Sequence, residues 1–256
     1  MNRLPGPLGR ADVSCIDHGT LGLFLSQAPV PAGVTKPPRA RDELTPIAHW
    51  MVQEMRRNAA GPDAQRILSL NTYSVTACIG ETREWPWWQQ LLSAGHWHQS
   101  CVDRGMAAKP AAHLAWGALV RQNGVWDHKP IIARRFTPAV ESGEQHYHRY
   151  HDHVYFYDVW SNIHYGYVGR ACGFSEAELL DGAGVEQIAS DLIRGDMPKE
   201  SVGVSGMRRF DHPSDRVAVT IGTELFKASP SALDAAHLVS RIVARRAALG
   251  ARSYLR

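Results

Sequence analysis

Apolar residues recur at helical spacing through most of the chain. Ile47, Trp50, Met51 and Met55 fall at three- and four-residue intervals. Thr45-Pro46 precedes them, a good N-cap followed by a residue suited to the first helical position. A polar break follows at 58–63. Pro86, set among Trp85, Trp87 and Trp88, predicts a helix start inside a packed core, with Trp97 in the same cluster. Leu114 to Val120 reads as another helix, stopped by Asn123-Gly124. Residues 137–153 are polar and read as a flap or an irregular ribbon. From Tyr155 the period becomes helical again, with Phe156, Trp160, Ile163 and Tyr167 on one stripe and Gly173 as the C-cap. Ser175 and Glu178 form a capping box for the next helix. A glycine-bearing loop over 195–210 precedes a helix with Val217, Ile221 and Leu225 on one face. Ser231 and Asp234 open the last helix. The pattern predicts a mainly α fold: a compact multi-helix domain with a polar loop or short ribbon inserted before the central helix.

Composition divides the chain further. Residues 1–43 read as a linker or adaptor, because Pro29, Pro31, Pro37 and Pro38 interrupt any helix or central strand. Residues 44–228 form the expected domain. Residues 229–256 read as a basic C-terminal helix, in which Arg241, Arg245, Arg246, Arg252 and Arg256 form a solvated face. Over 256 residues the formal charge is +3, too weak to mark a nucleic-acid binder by itself. Cys15, Cys78, Cys101 and Cys172 are widely spaced without a CxxC pair. They are expected to be free thiols rather than a disulfide framework. No apolar run approaches the ~20 residues that span a bilayer, and no signal-peptide core follows Met1. Membrane insertion is therefore not expected, and export would need a machine that reads no cleaved signal.

Three constellations carry chemistry. The helix around residue 160 has a second, polar stripe of Asp158, Asn162, Tyr165 or Gly166, and Gly169. These positions share a face. Each glycine weakens the helix by ~1 kcal/mol relative to alanine, so close approach by another helix or by a substrate should compensate. Trp126-Asp127-His128-Lys129 places an acid, an imidazole and an ammonium in one loop, the set needed for general base, general acid and anion stabiliser. His146, His148, His151 and His153 resemble a zinc ligand set only loosely, lacking a matching cysteine or a HExxH-like helix. They read as solvated histidines of a mobile loop, and neither metal nor cofactor is expected. Nucleotide, dinucleotide and serine-hydrolase motifs are missing. Cys172 sits near the C-terminal end of its helix, the wrong end for an activated thiol.

Together, Leu119-Val120-Arg121 with Trp126 to Lys129, Asn162 to Gly169 with Gly173-Phe174 and Leu179 to Gly184, and Asp211 to Asp215 with Ile221-Gly222 resemble the polymorphic toxin type 44 family. The helix from Met51 to Asn58 fits the start of that family as well. The resemblance covers about residues 44–228. It implies a toxin used by bacteria against competitors, delivered by a specialised secretion system or carrier protein and neutralised by a cognate immunity protein. It also implies a ribonuclease. The expected site is Asp127, Lys129, Asn162, His164 and Tyr165, converging on one cleft. A metal-independent ribonuclease acting in the target cytoplasm would take Asp127 or His164 as base, a histidine or Tyr165 as acid, and Lys129 as phosphate stabiliser. The alternative is a peptidoglycan hydrolase in the target periplasm, using carboxylates such as Asp127, Asp158 or Glu141 with tryptophans stacking sugars. A non-enzymatic adaptor would gain nothing from the polar stripe and the Trp-Asp-His-Lys loop.

Overall fold

The computed structural model describes residues 41–137, 146–182, 212–228 and 233–254. All of these lie in one unit, Arg39–Arg256. Helices α1 (Leu44–Ala60), α2 (Pro62–Asn71), α3 (Val75–Gly80) and α4 (Trp87–Val120) open it. Helix α5 (Lys129–Arg135), strands β1 (Tyr147–Tyr150) and β2 (His153–Phe156), and helix α6 (Asp158–Ala171) follow. A helix begins at 176 and is described to 182 (α7). Helices α8 (Pro213–Ala228) and α9 (Ala235–Ala244) and strand β3 (Arg252–Ser253) complete the set. The fold is mainly α, as the apolar period predicts.

The local signals mostly place the helix ends. Asp42 accepts the Thr45 N–H at 2.9 Å, so the first cap comes from the aspartate and the helix starts one residue before Thr45. The capping box forms as read: Ser175 N–H donates to Glu178 at 2.7 Å, and Glu178 N–H donates back to Ser175 Oγ at 3.2 Å. Gly173 adopts φ +84°. Its N–H bonds the Arg170 carbonyl, and the Phe174 N–H reaches back to Gly169. That pair of bonds closes α6 as a Schellman motif. Asp234 caps α9 by accepting the His237 N–H at 2.7 Å.

The polar stretch before α6 is more regular than expected. Strands β1 and β2 form a two-residue hairpin pairing Tyr147 with Phe156 and Tyr150 with His153. Strand β3 adds to the outer edge of β2. Tyr155 therefore lies in a strand, and the helix read from Tyr155 starts at Asp158 instead. Val154 and Tyr155 are consecutive and both buried, so the segment lacks the strict alternation of a strand, which is why a short apolar run could not separate strand from helix.

The central packing is α6 against α8. A Cβ on Gly166 would stand 2.2 Å from the Val219 carbonyl oxygen, and one on Gly222 would stand 2.1 Å from the Ile163 carbonyl oxygen. The two backbones touch where each helix has no side chain. The close approach anticipated for Gly166 is thus to another helix, and Gly169 is filled by the Leu179 side chain. Trp160, Ile163, Tyr167, Ile221 and Leu225 are buried around this crossing. Helices α1 and α9 close the other side, through Leu44, Ile47, Met51 and Met55 and through Leu238, Val239 and Ile242. Two of the C-terminal arginines are paired rather than solvated, Arg245 lying 2.6 Å and Arg241 3.3 Å from Glu224 of α8, while Arg246 and Arg252 are exposed and Arg256 lies outside the described residues.

Two expectations fail in the α3–α4 region. Cys78 and Cys101 are joined by a disulfide rather than free. Their separation of 23 residues hid the pairing, since only the return of α4 alongside α3 brings them together. Cys172 is a buried free thiol pushed up to about 12 by burial, as its structural reading requires. The tryptophan cluster is not a packed core either. α4 runs without a break from Trp87 through Pro110 to Val120, and its first turns expose Trp87 (77%) and Trp88 (54%). Only Trp85 and Trp97 pack together, and Trp97 donates to the Cys78 carbonyl at 3.0 Å. At the other end of α4, Trp116 packs on Trp126, Tyr165 and Phe174 and so anchors the helix to the core.

Candidate functional site

The loop after α4 builds the first half of the site. Asp127 accepts the Asn123 N–H at 2.9 Å with one oxygen and the Lys129 N–H at 3.1 Å with the other. This carboxylate fastens the turn and the start of α5. Lys129 then swings its ammonium to Asp158, the first residue of α6, at 2.7 Å. Burial alone would lower the Lys129 ammonium, but the carboxylates of Asp158, Asp215 and Asp127 outweigh it and raise its pKa. Asp215, in the first turn of α8, is raised by burial and by the Asp158 charge, against the pull of Lys129 and His212. Ser214 Oγ donates to Asp215 at 3.3 Å, and His212 Nδ1 lies 2.7 Å from that hydroxyl. Tyr157 borders the cluster, its phenol raised by burial and by Asp158. The α6–α8 glycine crossing is what sets Asp158 and Asp215 side by side. The cluster is half-open, with the Lys129 side chain 41% and that of Asp158 19% exposed.

A second polar group lies inside the core. His164 of α6 and His128 are both 1% exposed, with ring centroids 4.1 Å apart. Asn58 Nδ2 bonds His164 Nε2 at 2.9 Å, and Glu54 meets His128 Nε2 at 3.4 Å. Arg57 pairs with Glu54. Burial pushes His164 well below its ordinary value, aided by the neighbouring His128 and Arg57. Burial also lowers His128, although Glu54 opposes the shift. Nδ1 of both rings lacks a hydrogen-bond partner among the described residues. Trp126 and Trp50 wall the pair with ring edges.

The expected site residues therefore divide. Asp127 and Lys129 meet at the half-open cluster. Asn162, half-buried, lies one turn beyond Asp158 on the same face of α6. His164 turns instead to the buried pair. Tyr165 packs on Trp116 and donates to the Leu179 carbonyl at 3.2 Å. The histidine-rich segment also divides. His148 is buried and bonds the Phe136 carbonyl at 2.6 Å, which corrects its reading as a solvated loop residue. His146 stacks on Tyr157 at 4.7 Å, and His153 pairs with Asp152. Among the described residues no group of three or more His, Cys, Asp or Glu side chains is placed to hold a metal. Glu141 lies outside the described residues.

Sequence reasoning missed Glu54, Asn58 and Asp215 as site residues. A signal existed for the first two. Ile47, Met51, Glu54 and Asn58 continue one another at intervals of four, three and four, so two polar residues occupy core positions of α1. Asp215 gave no signal of its own, because a carboxylate in the first turn of a helix is ordinary capping chemistry.

Part of the chain is similar to a family of bacterial toxins. Residues 115–228 match the family model described as bacterial toxin 44, and this stretch holds both polar groups apart from the α1 residues. The resemblance carried by the Trp-Asp-His-Lys and Asn162–Gly169 segments is thereby borne out. No curated protein and no solved structure matches the chain. Among the described residues no helix is long and apolar enough to cross a membrane.

Proposed function

We propose that this toxin domain is a hydrolase that cleaves glycosidic bonds of peptidoglycan in the target's periplasm, with Asp158 and Asp215 as its carboxylate pair. The observation that carries the reading is the charge of the half-open cluster: Asp127, Asp158 and Asp215 surround the single ammonium of Lys129. A phosphodiester would meet net negative charge there, and the cation meant for it is already paired at 2.7 Å. An uncharged glycosidic oxygen meets no such repulsion. Asp215, raised by burial and by Asp158, is the carboxyl better disposed to hand a proton to the leaving oxygen. Asp158, ion-paired with Lys129, serves the opposite face of the sugar as base or nucleophile. Two carboxylates with opposed environments divide the acid and base roles. Asp127 positions Lys129 through its backbone, while Asn162 borders the sugar. In this reading His164 and Tyr165 support the fold. The Cys78–Cys101 disulfide fits an oxidising compartment. A cognate immunity protein would cover the cluster, and delivery would run through a secretion apparatus or carrier.

The ribonuclease reading retains one support, the exposed imidazole of His212 beside Asp215. Purified protein incubated in parallel with isolated sacculi and with total RNA separates the two. New reducing ends and soluble muropeptides, with RNA intact, are expected. Cleaved RNA with unaltered sacculi would overturn the hydrolase and return Lys129 and His212 to phosphodiester chemistry.

A further inference from the structure

The first turn of α8 holds three polar side chains in one row of bonds. His212 precedes the helix, and its carbonyl accepts the Asp215 N–H at 3.0 Å and the Arg216 N–H at 3.3 Å. Pro213 follows with the fixed φ of a first helical position and no N–H to satisfy. The His212 ring turns back over this start. Its Nδ1 lies 2.7 Å from Ser214 Oγ and 3.4 Å from the Ser214 backbone nitrogen. A side chain that merely capped the helix would bond the amide best. This ring bonds the hydroxyl best. Ser214 Oγ in turn stands 3.3 Å from Asp215 Oδ1. An exposed imidazole, a hydroxyl and a half-buried carboxyl thus form a continuous path from solvent into the open cluster.

We propose that His212 and Ser214 form a proton relay that reloads Asp215 after each turnover. The inference rests on the hydrolase reading, in which Asp215 protonates the leaving oxygen. The row can hold the same protons in two fully bonded arrangements. In the first, the ring is an imidazolium: Nδ1–H donates to Ser214 Oγ, and the Ser214 hydroxyl donates to the Asp215 carboxylate. Moving both protons one step gives the second: the Asp215 O–H donates to Ser214 Oγ, and the Ser214 hydroxyl donates to the bare Nδ1. Nε2 keeps its proton throughout, and the opposite charges of ring and carboxylate vanish together. Once Asp215 has given its proton to the leaving oxygen, the ring takes one from water and the first arrangement returns. A sugar seated on the cluster covers Asp215 from that side and leaves this path open. Neither His212 nor Ser214 touches the sugar; both act through Asp215. The groups facing Asp215 from other elements are Asp158 of α6 and Lys129 of α5, with Tyr157 at the border. Lys129 and Tyr157 are both raised, so neither titrates near neutrality. An imidazole ordinarily does, at about 6.5, well above a carboxyl. The shared proton is therefore lost where His212 titrates.

The test pairs kinetics with a titration that needs no substrate, both on the full chain. The maximal rate of sacculus cleavage should fall on the alkaline side along the titration of the His212 ring. His212→Gln, which can bond the hydroxyl but carries no proton, should move that limb down by at least about one pH unit. The rate at pH 7.5 then drops about tenfold, while the rate at pH 5 and the affinity for sacculi stay within about twofold. Ser214→Ala should reproduce the loss, and the double variant should add nothing to it, as expected of one network. Ser214→Thr, which keeps the hydroxyl, should keep the parent's profile, and added imidazole should restore part of the rate to His212→Gln. Melting checks that each variant is folded. Carbon NMR of the Asp215 carboxyl should show a second inflection where the His212 ring titrates, absent from His212→Gln. An alkaline limb unmoved by His212→Gln, or an Asp215 carboxyl that titrates alike in parent and variant, overturns the relay. A limb moved by His212→Gln but not by Ser214→Ala makes the effect one of charge alone and overturns it too. Sacculi untouched by the parent overturn the hydrolase reading instead, and the carboxyl titration then decides whether the row carries protons to Asp215.

Discussion

One helix, α6, serves two polar clusters that could hardly differ more. Asp158, at its N-terminus, joins Lys129, Asp127 and Asp215 in a half-open group rich in charge. His164, near its middle, joins His128, Asn58 and Glu54 in a sealed group walled by tryptophans. The first holds its charges by mutual pairing near solvent. The second holds its rings neutral, because burial disfavours the imidazolium more than Glu54 can favour it. The difference teaches that titratable residues close in sequence need not share a task. Only the first of the two reaches solvent, whereas the sealed one fixes α1, the Trp126 loop and α6 relative to one another.

Substitutions should separate the two. The largest effect is expected at the open cluster: Asp158→Asn and Asp215→Asn should each lower sacculus cleavage by about 10² to 10⁴, the range for general acid–base groups. Thermal melting of Asp215→Asn at neutral pH should be unchanged or higher, since the amide removes a charge that burial and Asp158 disfavour. Unchanged cleavage by both variants would remove this cluster from the chemistry. Lys129→Ala should cost about 10² in rate, with Lys129→Arg restoring part of it, because an ammonium and a planar guanidinium place charge differently. The stability change should stay within about 1 kcal/mol, as for a partly exposed ion pair. Turnover measured with melting decides whether the lysine acts or merely holds.

The sealed cluster should respond in stability alone. His164→Gln should destabilise by about 1–3 kcal/mol by denaturant unfolding, through a broken buried network, with activity per folded molecule retained. A variant that melts like the parent but no longer cleaves would place His164 in the mechanism. The smallest effect is a pH dependence. His164 and His128 bind protons less readily in the folded chain than at the ordinary value of 6.5. Below about that pH the unfolded chain takes up protons that the folded one refuses, so stability is complete above it and declines as pH falls. Melting between pH 7.5 and 5 should show that slope, and a His128→Gln/His164→Gln double variant should flatten it. A slope that persists in the double variant would assign it elsewhere, with buried His148 the next histidine to examine.

What the sequence showed depended on the range of the cause. Caps and breaks are local, and Ser175, Gly173 and Asp234 were legible because each acts within a few residues. Helix period revealed Trp160, Ile163 and Tyr167 as core. The hairpin was obscured because a four-residue strand offers too few alternations to exclude a helix. The Cys78–Cys101 bond, the meeting of Lys129 with Asp158, and the pairing of His164 with His128 all require tertiary return of the chain. Family resemblance supplied the segments that matter but not the division of labour between them, because Asp127 and His128 are adjacent in sequence yet serve different clusters.

The covalent link between Cys78 and Cys101 bears on how freely this surface can diversify. Closing a loop of that length limits the unfolded chain by about 3 kcal/mol in the entropic account. That stabilisation belongs to the α3–α4 region and does not draw on the α6–α8 crossing. Changes along the outer face of α4 therefore leave Gly166, Gly222 and the carboxylates untouched. Side chains on this arm can change without re-optimising the part that holds the two polar clusters.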